Sequence, residues 1–162
     1  MEGSFPRAVC VLKGAEVSGK IFFIQQADGM STKITGQVMG LKQGLHAFHI
    51  HEYGDNTSGC SSAGPHFNPF KKPHGGPDDT ERHLGDLGNM LADANGVANL
   101  NMEDKMIRLD GPHSILGRAL VIHADPDDFG RGGDANSRET GNSGARLACG
   151  IIGLAPPHQS NI

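Results

Sequence analysis

Residues 19–39 read GKIFFIQQADGMSTKITGQVM. Two short apolar and β-branched segments, Gly19–Gln26 and Ser31–Met39, flank the turn signal Asp28-Gly29, and this reads as two strands joined by a tight turn. The same rhythm extends in both directions. Upstream lies a strand over Arg7–Leu12; downstream lie Leu45–Glu52, Asp86–Ala92, Ala98–Met102, Ala119–His123 and Leu147–Leu154. Asn95-Gly96 and Asp110-Gly111 supply further turn signals. Short strands at this spacing predict an all-β fold: an eight-stranded antiparallel β-sandwich or flattened barrel. There is no long amphipathic helix, internal repeat or linker, so residues 1–162 are expected to form a single domain.

Composition agrees with that class. The chain has 24 Gly and 9 Pro among 162 residues, a turn-rich balance. Hydrophobic residues make up 36%, which with the glycines argues against disorder. The formal net charge of −4 and the lack of any Lys/Arg run argue against nucleic acid and anionic membranes as partners. An anionic substrate would need a local positive site. No stretch approaches the roughly 20 apolar residues of a membrane span. Met1–Gly14 holds no apolar run of signal-peptide type, and a cytoplasmic protein is expected. The three cysteines lack CxxC spacing, so neither a zinc ribbon nor a thioredoxin motif is indicated.

Two stretches interrupt the strands. Tyr53–Gly85 and Ala124–Arg146 are rich in Gly, Pro, Asn and Asp, and loops of this length inside a compact domain are usually functional or disordered. The first carries His66, His74, His83 and Cys60, which favours function, with a metal or disulfide to hold it.

Just before it, Leu45–Asp55 reads LHAFHIHEYGD. His49 and His51, two apart on a strand, project from one face and can offer two imidazoles to one ion; His46 has the opposite parity. Alone, the pair equally fits ordinary polar histidines. Within residues 65–86, PHFNPFKKPHGGPDDTERHLGD, the residues His66, His74, His83 and Asp86 make a full tetrahedral set for Zn²⁺ with no position left for substrate. A structural metal that folds the loop is one reading; a solvated histidine-bearing loop is the other. His123 ends the apolar run ALVIH. With His49, His51 and one more imidazole it completes an all-nitrogen site suited to Cu(II). His66 can be the shared member, since a fully deprotonated imidazole has two ring nitrogens to give.

Residues 47–69, AFHIHEYGDNTSGCSSAGPHFNP, resemble the first copper-binding signature of the copper/zinc superoxide dismutases. Residues 141–152, GNSGARLACGII, resemble their second signature, and residues 74–89, HGGPDDTERHLGDLGN, resemble their zinc loop. The similarity runs from about Arg7 to Ala155. It implies a Greek-key barrel with two long functional loops, and one copper and one zinc per subunit. By matching positions, copper falls to His49, His51, His66 and His123, and zinc to His66, His74, His83 and Asp86. Asp127 is implied to join the non-coordinating nitrogens of His49 and His74, which fixes ring orientation. Cys60 and Cys149 fall at the disulfide positions; Cys10 is expected to be a buried unpaired thiol. His66 and Arg146 take the catalytic positions. The resemblance implies that Arg146 attracts and hydrogen-bonds superoxide, and that His66 leaves copper on reduction, picks up a proton and returns it to the product. The implied activity is disproportionation of superoxide to dioxygen and hydrogen peroxide in antioxidant defence. The implied partners are a second copy, through an apolar patch around Gly54, Ile115–Gly117 and Ile152–Gly153, and a copper chaperone for metal loading. His113 and His158 match no role and are expected at the surface; the longer N-terminus and the tail PPHQSNI also have none.

The chain departs from the family in the loop thought to steer the anion. Where relatives commonly carry paired acids followed by a lysine, residues 134–140 read DANSRET. Glu139 stands in the lysine position, beside Thr140, and Arg138 one place earlier is the candidate substitute. Two rival readings fare worse. The dismutase-like domain of a copper metallochaperone would lack copper ligands or Arg146, and a zinc-stabilised binding module would leave His49, His51 and His123 unused.

Overall fold

The computed structural model describes residues 5–158. The strands are β1 Phe5–Gly14, β2 Ser18–Gln25, β3 Thr32–Met39, β4 Gly44–His51, β5 Thr57–Cys60, β6 Asp86–Ala92, β7 Ala98–Asp104, β8 Ala119–His123 and β9 Arg146–His158. A 3-10 turn spans Ser61–Ala63 and a short helix, α1, spans Ala135–Thr140. All strands but β5 close into one barrel in the order β1-β2-β3-β7-β6-β4-β8-β9. The pairings are antiparallel, and β9 returns to β1. After the β1–β2–β3 meander the chain crosses the barrel, so β4 pairs with β6 and β8 rather than with β3. This is the Greek-key departure from simple up-and-down order.

The eight barrel strands are the eight expected from the sequence. Within residues 19–39, Phe22 faces Thr35 and Ile24 faces Lys33 across the β2–β3 pair. Gly29, at φ +63°, closes the turn, which alanine would strain. Side chains of alternate parity fill the interior: Ile21, Phe23, Ile34, Phe48, Ile50, Leu120 and Ile122 all belong to one core cluster.

β4 is buried without interruption from His46 to His51, although a barrel strand ordinarily has one wet face. The two long loops fold over the outer faces of β4 and β8. They cover Ala47, His49 and His51 on one strand and Ala119, Val121 and His123 on the other. Ala63 of the 3-10 turn packs with Ala119, Val121 and Cys149 to form a small second cluster on that outer side.

Three features depart from expectation. β5 and α1 lie inside stretches read as irregular. At four and six residues they are too short for a hydrophobic period, and they depend on contacts instead. α1 is capped by the Asp134 side chain, which accepts from the Ser137 amide, and by Gly141 in the left-handed region. The apolar patch is also drawn differently. Ile115 and Ile152 are fully buried in the core, because period-2 alternation turns Ile152 inward and Ile151 outward. The exposed surface beside Gly54 and Gly117 is that of Tyr53 and Ile151. Of the terminal stretches without a family counterpart, residues 1–4 and 159–162 and the side chain of His158 lie outside the described residues.

Candidate metal centre

The loop after β4 is pinned back onto that strand. Phe67 donates its amide to the Ile50 carbonyl (2.8 Å), the Ile50 amide donates to Gly85 (2.9 Å), and His51 forms an isolated antiparallel bridge with His66. These bonds bring His66 beside the outward-facing His49 and His51. His123 reaches the same place from the end of β8.

Four imidazoles, His49, His51, His66 and His123, each bring one ring nitrogen within 4.8 Å of the others. Their far sides decide which nitrogen faces inward. His51 donates Nδ1–H to the Gly64 carbonyl (2.8 Å) and His123 donates Nδ1–H to Gly144 (3.2 Å). Their Nε2 atoms are thereby left facing each other at 3.3 Å. His49 donates Nε2–H to Asp127 Oδ2 (2.6 Å), leaving its buried Nδ1 with no hydrogen-bond partner.

A second convergence centres on the fully buried Asp86. Its Oδ1 lies 2.9 Å from His74 Nδ1, 3.0 Å from His66 Nδ1 and 3.3 Å from His83 Nδ1. Its Oδ2 accepts the amides of Gly75 and His83 (3.0 and 2.7 Å) and holds the carboxylate in place. His66 Nδ1 and His83 Nδ1 are 3.1 Å apart. His74 donates Nε2–H to Asp127 Oδ1 (2.6 Å), and its Nδ1 is otherwise without a hydrogen-bond partner. The mutual 4.8 Å grouping on this side takes His49, His66, His74 and Asp86. His83 Nδ1 nevertheless lies 3.3 Å from the Asp86 oxygen, and His49 belongs to both groupings. His66 sits between them, its ring 4.0 Å from that of His49 and 5.2 Å from that of His83.

Lone-pair atoms turned towards one another in a dry site repel unless a proton or cation lies between them. The back of each ring is already committed, so the donor set suits metal ions: all-nitrogen on one side, three nitrogens and one carboxylate on the other. Burial holds His49 and His51 well below the usual imidazole value, lowers His66, and brings His123 down to about 4. These rings are neutral and ready to ligate at neutral pH. His74 is the exception: burial opposes its proton, but the carboxylates of Asp127 and Asp86 outweigh burial and push it up to about 9.

From these opposite shifts the metal-free protein is expected to be most stable near pH 6.5. His74, raised when folded, contributes stability that is fully present below its unfolded value near 6.5 and is lost as pH rises through about 9. His123, lowered when folded, destabilises progressively as pH falls from 6.5 towards about 4, because the unfolded chain binds the proton more tightly. Melting curves of chelator-stripped protein should peak between these limits; a monotonic rise from pH 5 to 9 would contradict the assignment.

Beside the imidazoles, Arg146 donates Nη1–H to the Cys60 carbonyl and Nη2–H to the Gly64 carbonyl, each at 2.8 Å. Gly64 therefore accepts from both Arg146 and His51. Cys60 is disulfide-bonded to Cys149, with Cα atoms 5.7 Å apart, so the bridge ties the arginine's anchor to β9. Cys10 is the free, buried cysteine, its thiol pushed up to about 12 by burial and so inert as a nucleophile. A cleft of about 980 Å³ opens over His51, His66, His123 and Arg146.

A family model described as copper/zinc superoxide dismutase matches residues 17–152. The chain belongs to that family. It is accordingly an oxidoreductase of the superoxide dismutase class that binds copper and zinc, and the two donor clusters are groups that could hold them.

Several contributors had no local sequence signal. His113, expected as a plain surface residue, is half-buried on the cleft wall with its ring 4.8 Å from that of Phe70. Arg118 also lines the cleft, stacked 3.6 Å above the Phe67 ring. Asn89 clamps the Asp127 backbone in both directions, accepting its amide (2.7 Å) and donating to its carbonyl (3.1 Å). Gly141 leaves no room for a Cβ, which would stand 2.1 Å from Asp127 Oδ1 and 2.5 Å from His74 Nε2. His46 stays out of both clusters, with its two nitrogens against the carbonyls of Lys42 and His123. Among the described residues no helix is long and apolar enough to cross a membrane.

Proposed function

We propose that this enzyme disproportionates superoxide at a bridged site in which His49, His51, His66 and His123 hold copper and His66, His74, His83 and Asp86 hold zinc. The observation that carries the assignment is the buried Nδ1 of His49, without a hydrogen-bond partner, and the Nδ1 of His74, 2.9 Å from Asp86, both turned inward because Asp127 takes both Nε2 protons. Copper, when bound, supplies the reversible one-electron change that turns one superoxide into dioxygen and the next into peroxide, while zinc is redox-inert.

The protein's own residues do the rest. Arg146, fixed by two carbonyls at the edge of the cleft, keeps a permanent charge and free N–H groups for the incoming anion. His66 Nε2 takes up one proton and passes it to the departing peroxide, while Nδ1 keeps its place beside Asp86 and His83. Two protons are consumed for each pair of superoxide ions, the second coming from solvent through the open cleft. The test pairs metal analysis with a disproportionation assay and a His123→Ala control. One copper and one zinc per chain, with activity lost in the control, is the expected result. Zinc alone, without activity after copper is supplied, would overturn the reading.

Steering in this chain rests on fewer acids than the family pattern. Asn136, Arg138, Glu139 and Thr140 all line the cleft from α1, so both charges of the helix act there. Glu139 offsets the pull of Arg138. Glu139→Lys is expected to raise the low-salt rate and steepen its decline with ionic strength. An unchanged rate and slope would refute this.

The same reading takes residues 1–162 as one domain, working in the cytoplasm as a homodimer loaded by a copper chaperone. The exposed Tyr53 and Ile151 beside Gly54 and Gly117 support the dimer face. Sedimentation of the protein and of Ile151→Asp compares its oligomeric state directly.

A further inference from the structure

Phe129 lies in the left-handed region at φ 59°, where a bulky side chain is strained and persists only if its surroundings over-determine it. The surroundings do so. Its ring rests on two glycines: a Cβ built on Gly76 would stand 3.1 Å from ring Cγ, and one on Gly88 would stand 3.5 Å from Cε1. Gly76 belongs to the first long loop and Gly88 to β6, so the ring wedges the loop, the barrel and its own segment together. The Arg131 guanidinium lies 5.5 Å from the ring centroid. The next residue, Gly130, is pressed so closely on His74 that a Cβ would meet the His74 carbonyl at 2.6 Å.

This strained turn aims one atom. The Phe129 amide donates to Asp127 Oδ1 at 2.8 Å, the same oxygen that receives His74 Nε2–H, while Oδ2 receives His49 Nε2–H. With Asn89 holding the Asp127 main chain, the Phe129 amide is, among the described residues, the one contact on the carboxylate besides the two imidazoles, and so the one that can set its plane independently of them. We infer that Phe129 is a positioning residue for both metal halves: its wedged ring holds a left-handed backbone whose amide sets the plane of Asp127, and through it the rings of His49 and His74.

The inference rests on the two-metal reading above, and the experiment separates the two. The parent, Phe129→Ala, Phe129→Leu and Gly76→Ala are loaded with Cu(II) and with Co(II) in place of zinc. The copper EPR spectrum, the cobalt visible bands and the cobalt release rate are then recorded. Phe129→Ala should alter both spectra and release cobalt about tenfold faster, a change of the size that supporting contacts to metal ligands usually produce. Phe129→Leu, which keeps an apolar wedge, should recover most of the parent spectra. Gly76→Ala keeps the ring but pushes it, and should shift both spectra in a protein with its core intact. Spectra superimposable on the parent's in Phe129→Ala and Gly76→Ala, even with a lowered Tm, would make Phe129 a packing residue only and overturn the inference. A parent that binds neither ion would overturn the two-metal reading, and this inference with it.

Discussion

Replacing Asp127 with alanine is expected to weaken both metals at once, by roughly 10–100-fold in affinity for each. The carboxylate is buried and spends one oxygen on each half of the centre, at 2.6 Å from His49 Nε2 and 2.6 Å from His74 Nε2. Without it, two buried N–H groups lose their acceptor, each at a cost of about 1–3 kcal/mol unless the ring turns or changes tautomer. Either adjustment takes Nδ1 away from the cluster it faces. Asp127→Asn should fall between parent and alanine, since the amide keeps one acceptor oxygen but presents N–H to the other imidazole. Competition with a chelator, run separately for copper and zinc, measures the two losses. A loss confined to one metal would show that the carboxylate serves only one ring.

The largest effect on stability is expected at Arg82, a fully buried cation. Its Nη1 pairs with Asp104 at 2.8 Å and also donates to the Pro77 carbonyl; Nε donates to the His83 carbonyl and Nη2 to the Leu84 carbonyl. Asp104, equally buried, spends its second oxygen on the amides of Met106 and Ile107. One guanidinium thus fixes the backbone on both sides of His83 and ties the loop to the end of β7. Arg82→Met leaves a buried carboxylate and three carbonyls without their donor, and removing one partner of such a pair typically costs about 3–5 kcal/mol. Arg82→Lys should recover little, because a single ammonium cannot reproduce the fork. Denaturant melts of the metal-free variants measure this cost. A loss under about 1 kcal/mol, the value of a surface ion pair, would show that water reaches the site. Zinc affinity should fall in parallel, since His83 and Asp86 follow directly in the chain.

The barrel was legible because its information is local. Alternation on β2 and β3 and the Asp28-Gly29 turn specify a hairpin within 21 residues, and the other strands repeat that pattern with their own turn residues. The imidazoles of His49 and His51 were legible for the same reason, since parity on a strand places them on one face. The sites they enter were legible only through resemblance. His66 reaches His51 by way of loop bonds to Ile50, and His123 arrives on a different strand. Neither α1 nor β5 could be read, because at six and four residues each holds at most two turns of its own period, too few for a pattern to show.

The sequence by itself determined the eight strands, the two long loops, the identities of the candidate ligands and the departure at Glu139. The strands and loops are carried by residue type and near-neighbour spacing, whereas the ligand set and the departure at Glu139 come from the resemblance. Only the tertiary structure decided which nitrogen of each imidazole faces inward; the contact of Asp127 with both His49 and His74, implied by the resemblance, is made there at 2.6 Å on each side. It also decided that Ile151 rather than Ile152 meets solvent, and that Arg82, Asn89, Phe129 and Gly141 lie against the residues of the two clusters or their backbone. Those outcomes depend on partners as far apart in the chain as His49 and Asp127, 78 residues from one another. Contacts at that range exist only after the barrel has closed and the loops have folded over it, so nothing in the spacing of neighbouring residues encodes them.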